Sequence, residues 1–385
     1  MLLAKLLNAL TIYNLGTRYF KAQRVDVQAI RKFKSDFYEQ MWKKAAAQTN
    51  LAIEPLGSGI FNITNGTSSL KVYQQYTQLG DSVTDRLIVN KHIIYKMLTE
   101  IDVPIPRYIH LKDFDISTAK SFMYQIGKPV VVKPAYGTGA GAGITTNVTK
   151  VHHLYQAFAR SRAFCPETVI EEQIKGDNYR FLFFDGELLD CIVRHPPTVI
   201  GNGVSSLRRL IRQENKKRLK HGFQLAQDLI YMDLDTKFTL AAQGLKLGKT
   251  PSKGQVIKVK DVINANRAAD NETPSIFPAE PLIEMCRKIL DTLGVRLAGI
   301  DIITSDLTKD LRETTGGVIE INTPPGHFYH TLKKGNGYPV ALRLLQNVFS
   351  KQLERDKYKT YVKPIQERLD ENSRVKSSNQ LEKIL

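Results

Sequence analysis

Apolar residues recur along this chain in two rhythms, and each predicts a different kind of element. Ile93, Ile94, Met97, Leu98 and Ile101 follow helical spacing and lay one apolar stripe on a helix that opens at Lys91. Pro104 and Pro106 close it, because the residue before a proline is pushed out of helical geometry. Further helices are predicted over 113–126, ended by Gly127, and over 149–163. Leu282, Ile283, Met285, Cys286, Ile289 and Leu290 predict another over 279–293, with Gly294 as its cap. The stretch 338–353 predicts one more. Elsewhere the pattern shortens to β-branched runs at 69–73, 129–134, 168–174, 255–260, 298–303 and 317–322. Asp185-Gly186, between two such runs at 179–184 and 187–194, is the two-residue signal of a β-hairpin. The segment 221–254 shows no clear period and reads as irregular. Helices interleaved with strands predict a mixed α/β (α+β) fold, and no internal repeat interrupts it.

Polar residues inside the apolar runs carry the candidate chemistry. In Gly317-Val318-Ile319-Glu320-Ile321-Asn322, alternation puts Glu320 and Asn322 on one face of a strand and the isoleucines behind. Acid and amide oxygens two residues apart suit a hard cation with oxygen ligands. Asp301 lies in a second apolar strand, where an unpaired acid is costly to bury. Upstream, Lys133 ends a strand that leads into Ala135-Tyr136-Gly137-Thr138-Gly139-Ala140-Gly141-Ala142-Gly143. Glycines between two strands let backbone amides approach phosphate oxygens, and the lysine adds a cationic donor. The loop matches neither the Walker A pattern nor the dinucleotide fingerprint. His152 and His153 are adjacent on a helix, point in different directions, and read as ordinary helix residues rather than a metal pair. Arg194, ending a hairpin strand, is the first candidate to stabilise an oxyanion, and Arg180 the second.

Composition narrows the setting. At 385 residues, 42% apolar and 24% charged, the chain has material for two or three globular domains. Three widely spaced cysteines predict no disulfide framework and favour a reducing compartment. The N-terminal Met1–Leu10 run is interrupted by Lys5 and reads as an amphipathic helix rather than a signal peptide. No apolar run approaches the roughly 20 residues of a membrane span, so a cytoplasmic protein is expected. A net charge of +17 favours anionic partners. The densest basic block, 208–221, keeps Leu210, Ile211 and Leu219 at helical spacing and lacks interleaved aromatics. It reads first as a solvated helix face, then as a basic flap over an anionic substrate, and last as a nucleic-acid contact.

Six stretches in register resemble the ATP-grasp superfamily of carboxylate–amine ligases, over roughly 85–350. They are Asn90-Lys91 with Val103-Pro104-Ile105-Pro106, Val132-Lys133-Pro134 with its loop, Val169-Ile170-Glu171-Glu172-Gln173-Ile174-Lys175-Gly176, Val199-Ile200-Gly201-Asn202-Gly203, Ala298-Gly299-Ile300-Asp301, and Val318 to Gly326. Within it the likeness is to the ATP-grasp part of cyanophycin synthetases, with glutathione synthetases and D-alanine–D-alanine ligases more distant. The resemblance implies that Lys91 and Lys133 contact nucleotide phosphates under a loop of Gly137, Thr138, Gly139, Gly141 and Gly143. It implies adenine contacts at Glu171, Glu172 and Ile174, and a ribose position at Asn178, where the family carries an acid. Asp301, Glu320 and Asn322 would hold two magnesium ions, with manganese as an alternative. Asn266, Arg267, Thr323 and Gly326 would lie near the substrate, although Asn264 to Asp270 lacks the family's glycine pair.

The expected division is an N-terminal region 1–88, a lid subdomain 89–175, a catalytic subdomain 176–350 and a charged tail 351–385. The expected reaction joins a small carboxylic acid or amino acid to an amine through an acyl phosphate. The partners are then small molecules rather than nucleic acid, and a homo-oligomer fits the sequence. A peptide- or protein-tailoring ligase acting on an acidic substrate is one alternative. A degenerate nucleotide or nucleic-acid binder is the other.

Overall fold

The computed structural model describes residues 27–139, 141–220, 229–263 and 270–350. Contacts divide the chain into a smaller unit built on Ser35–Gln74 with the helix at 340–350, and a larger one built on Gln75–Tyr338. In the smaller unit most of helix α1 (Val27–Gln48) precedes an antiparallel meander of β1 (Ala52–Gly57), β2 (Ile60–Thr64) and β3 (Ser69–Tyr73). Leu70 and Val72 alternate with exposed neighbours on β3, so one face of the meander is buried. The Trp42 indole is fully buried and donates to the Gln74 carbonyl at 2.8 Å.

The larger unit opens with β4 (Tyr76–Thr77), α2 (Ser82–Ile88) and α3 (Lys91–Glu100). Asp81 and Asn90 cap the two helices, their side chains accepting from backbone amides of the first turn. An antiparallel sheet follows, built from β5 (Tyr108–Leu111), β6 (Val130–Pro134), β7 (Thr145–Val148) and β8 (Thr168–Glu172), in the order β5-β8-β6-β7. Helices α4 (Ile116–Ile126) and α5 (Val151–Arg162) supply Phe122, Met123, Leu154 and Phe158 to its core. Gly127 ends α4 in the left-handed conformation, where a Cβ would be strained.

A second antiparallel sheet has the order β13-β10-β9-β14-β15. Its strands are β9 (Asp177–Phe184), β10 (Glu187–His195), β13 (Asp270–Glu272), β14 (Leu297–Thr304) and β15 (Gly317–Asn322). Asp185 and Gly186 both take positive φ, giving the tight turn expected between β9 and β10. Phe181, Phe183, Ile300 and Ile302 pack one face of this sheet against Leu282, Cys286, Ile289 and Leu290 of α8 (Glu280–Leu293). Each fully buried phenylalanine there contributes about 2–3 kcal/mol.

Between β10 and β13 lie β11 (Thr198–Ile200), α6 (Leu207–Lys220), α7 (Leu234–Ala242) and β12 (Val256–Lys258). Val199, Leu207, Ile211, Leu240 and Ile257 form their own small core. Helix α7 corrects the reading of 221–254 as irregular. Its buried positions include Asp235, Thr236 and Thr239, so polarity does not mark its inner face. A short helix α9 (Phe328–Thr331) follows β15.

Candidate active site

Strand alternation and register assemble the polar face of the second sheet. With Phe181 and Phe183 directed into the core, Asn178 and Arg180 of β9 share the opposite face. Pairing then sets Arg180 opposite Asp301, Asp301 opposite Glu320, Asn178 opposite Arg194 and Gly299 opposite Asn322. Four strands thus bring together six polar residues that the sequence scatters from 178 to 322.

Asp301 is fully buried, and both of its oxygens are bound. Arg180 donates from Nε to Oδ1 at 2.6 Å and from Nη2 to Oδ2 at 2.8 Å, and Arg194 Nη2 lies 2.9 Å from Oδ2. Burial opposes ionisation of Asp301, but Arg180 and then Arg194 outweigh it and hold the carboxyl below its ordinary value. Burial likewise works against the Arg180 charge, yet Asp301 more than offsets it. For Arg194 burial wins, and its pKa falls despite Asp301. The Asn178 Oδ1 accepts from both Nε (2.7 Å) and Nη2 of Arg194.

The two lysines arrive from the other elements. Lys91 is the first residue of α3, its backbone N–H donating to the Ala135 carbonyl at 3.0 Å beside the glycine loop. Its ammonium lies 3.8 Å from Glu320, and burial pulls its pKa down while Glu320 opposes the fall. Lys133, on the wholly buried β6, lies 2.6 Å from Glu171 Oε2 and donates to the Tyr95 hydroxyl at 2.8 Å. That hydroxyl also lies 2.8 Å from Glu171 and 3.0 Å from the Ile319 carbonyl. Tyr95 is a site residue the sequence reading missed. Its position one helical turn after Lys91 was the available signal.

These residues surround two cavities. One of about 380 Å³ is lined by Lys133, Glu171, Glu172, Ile174, Asn178 and Arg194, together with Pro106, Gln173, Lys258, Asp261 and Ile263, to which the sequence reading gave no site role. The other, of about 130 Å³, is lined by Lys91, Thr138, Gly139, Glu320, Asn322 and Thr323. Ile319 lines both. The Glu172 carboxylate is engaged by Arg107, whose Nε and Nη2 donate to Oε2 at 3.0 and 2.8 Å. In the glycine loop Gly137, Gly141 and Gly143 have positive φ. A Cβ on Gly143 would come within 2.6 Å of the Pro134 ring, so the turn between β6 and β7 excludes a side chain there. Thr323 donates to the Leu297 carbonyl at 3.0 Å, and Gly326 sits against the Tyr329 ring. His153 stacks on Phe238. Asn266 and Arg267 lie outside the described residues.

Among the described residues no group of three His, Cys, Asp or Glu side chains could hold a metal ion. Magnesium is commonly held by one or two carboxylates plus substrate phosphates, and Glu320 and Asn322 offer hard oxygens beside Lys91. The Asn322 amide nitrogen, a hydrogen-bond donor, is buried without a partner among the described residues. Glu320 and Asn322 thus present oxygen donors of the kind the ion takes, whereas both oxygens of Asp301 are held by Arg180 and Arg194.

Residues 90–179 match the ATP-binding domain of the carbamoyl-phosphate synthase L chain. Cyanophycin synthetase of Trichormus variabilis is 28% identical over 247 residues, which cover 63% of this chain and 27% of that protein. The glutathione biosynthesis bifunctional protein of Desulfotalea psychrophila is 25% identical over 257 residues, covering 66% of this chain and 33% of that protein. The chain therefore spans about a third or less of the length of these curated relatives. A bifunctional glutathione synthetase from Pasteurella multocida superposes with a TM-score of 0.53 at 21% identity, covering 82% of this chain and 43% of that one. Among the described residues no helix is long and apolar enough to cross a membrane. With its two antiparallel sheets and its glycine loop between β6 and β7, the chain has the ATP-grasp fold, and its sequence is similar to the synthetases named above.

Proposed function

We propose that this protein is an ATP- and magnesium-dependent ligase that activates a small carboxylic acid as its acyl phosphate and transfers the acyl group to an amine. The observation that carries the reading is the row Arg194–Asp301–Arg180 on one sheet face, with Glu320 and Asn322 beside it and Lys91 against Glu320. Cations and carboxylates gathered in a desolvated cleft suit phosphoryl transfer, which needs positioning and charge neutralisation more than covalent help. Bound magnesium–ATP supplies the phosphoryl group and neutralises its charge. Asp301, Glu320 and Asn322 would hold the metal, as two magnesium ions with manganese as an alternative.

Lys91 and Lys133 neutralise nucleotide phosphates, and the loop of Gly137, Thr138, Gly139, Gly141 and Gly143 closes over them to exclude water. Glu171, Glu172 and Ile174 border the adenine end of the larger cavity. Arg194, with Arg180 next to it, faces the oxyanion that develops as the acyl group is transferred. Thr323 and Gly326 border the place where acid and amine meet, and Asn266 and Arg267 are taken as further substrate residues on the likeness alone. The lid is then residues 89–175 and the catalytic subdomain 176–350. Three free, buried cysteines support a reducing, cytoplasmic setting.

The test is phosphate release from ATP and magnesium across paired carboxylic acids, amino acids and amines. One pairing should release phosphate, and Asp301→Ala and Glu320→Ala should each abolish it. Release that survives both substitutions overturns the metal assignment.

A further inference from the structure

We infer that Asn178 positions Arg194 rather than contacting the nucleotide ribose, and that Arg194 with Asn271 forms an anion subsite for the phosphoryl group. The inference rests on the reading of Arg194 as the oxyanion contact.

Asn178 and Arg194 are 5% and 1% exposed and sit opposite each other on β9 and β10. A carbonyl oxygen has two lone pairs, and Arg194 occupies both through Nε and Nη2. A ribose hydroxyl that must donate therefore finds no acceptor on Asn178, although the residue lines the larger cavity. The amide also leaves the arginine's charge in place. An aspartate at 178 would set a second carboxylate against a guanidinium already held by Asp301, and the group would no longer be a net cation.

What Asn178 and Asp301 leave over is Nη1 of Arg194, which is buried and has no hydrogen-bond partner among the described residues. Arg194 lines the same cavity. On its other side it pairs with Asn271 of β13, and directly paired residues of an antiparallel ladder project to the same face. Asn271 is 1% exposed, and among the described residues neither its side-chain oxygen nor its nitrogen has a partner. Buried polar groups are rarely left unpaired, because each unmade bond costs desolvation energy. Two neighbouring orphans that include a guanidinium N–H and an amide N–H are complementary to an anion with several acceptor oxygens, such as a phosphoryl group.

Inorganic phosphate titrated calorimetrically into protein saturated with ADP and magnesium reads this subsite without knowledge of the acid or amine. Asn178→Asp, which is isosteric, Asn178→Ala and Asn271→Ala should each weaken phosphate binding by about tenfold or more. The ratio of affinities for ATP and 3′-deoxy-ATP should stay at the wild-type value in both Asn178 variants. Unchanged phosphate affinity in the Asn178 variants, or an Asn178→Asp protein that gains discrimination against 3′-deoxy-ATP, overturns the positioning role. Unchanged affinity in Asn271→Ala overturns the subsite. Arg194→Gln separates this from the parent reading. If it binds phosphate as the wild type does, the oxyanion role of Arg194 fails; if it alone weakens binding, only the present inference fails.

Discussion

Asp301 shows at the residue scale how one side chain can be legible in kind and hidden in context. An acid in an apolar strand had to have a partner, and the sequence named magnesium. The structure gives it two arginines from neighbouring strands, Arg180 and Arg194. Neither pairing follows from linear spacing, because Arg180 is 121 positions away and meets Asp301 only through the β9–β14 register. Removing the charge while keeping the shape, as Asp301→Asn does, leaves two buried guanidinium groups without a counter-ion. The expected cost is about 3–5 kcal/mol in urea denaturation. A loss below about 1 kcal/mol would mean that the arginines find other partners. Tyr95 was missed for a different reason: a tyrosine on an apolar stripe is ordinarily core, and only the distance to Lys133 shows that its hydroxyl is in use.

At the scale of elements, those with a strong period and a glycine stop were readable, as α4 with Gly127 and α8 with Gly294 show. Helix α7 was not, because its inner face mixes Asp235, Thr236 and Thr239 with Phe238 and Leu240. Asp235 accepts from Thr146 N and Oγ1 at 3.2 and 2.6 Å and from Val262 N at 3.3 Å, tying α7 to β7 and to the segment entering the larger cavity. Asp233 caps the same helix at Thr236 N and pairs with Lys260 at 2.7 Å and Arg160 at 2.9 Å. Burial alone would raise the Asp233 pKa, but Lys260 and Arg160 together carry it well below 3.8. A carboxyl whose folded pKa is depressed stabilises the fold above its unfolded value, and that stabilisation is lost as pH falls through the folded one. Wild-type stability should therefore decline as pH drops below about 4, and part of that decline should be missing in Asp233→Ala. At neutral pH the variant should be destabilised by about 3 kcal/mol from the lost cap and ion pairs. Parallel pH–stability curves for the two proteins would contradict this account of α7.

For the whole molecule, a net charge of +17 pointed to anions without saying where they bind. On α6 Leu207, Leu210 and Ile211 are buried while Arg208, Arg209 and Arg212 are exposed, which is the pattern of a solvated helix face. Reversing those three charges should leave ATP turnover within about twofold, since exposed charges are weakened by solvent and salt. A many-fold rise in the Michaelis constant for one substrate would instead make α6 part of the substrate site. The charges proposed to act on the nucleotide are Lys91, Lys133, Arg180 and Arg194, each less than a tenth exposed. Their types and order were legible in the chain, whereas their meeting on one sheet face depends on strand pairing that no local pattern encodes. The central claim is that ATP converts a carboxylate into an acyl phosphate at this face. Its most direct test supplies ¹⁸O-labelled carboxylic acids with ATP, magnesium and amines, and analyses the released phosphate by mass. Transfer of one ¹⁸O atom from carboxylate to phosphate, with ADP formed in equal amount, is the predicted result; ADP and phosphate formed without label, or AMP in place of ADP, would contradict it.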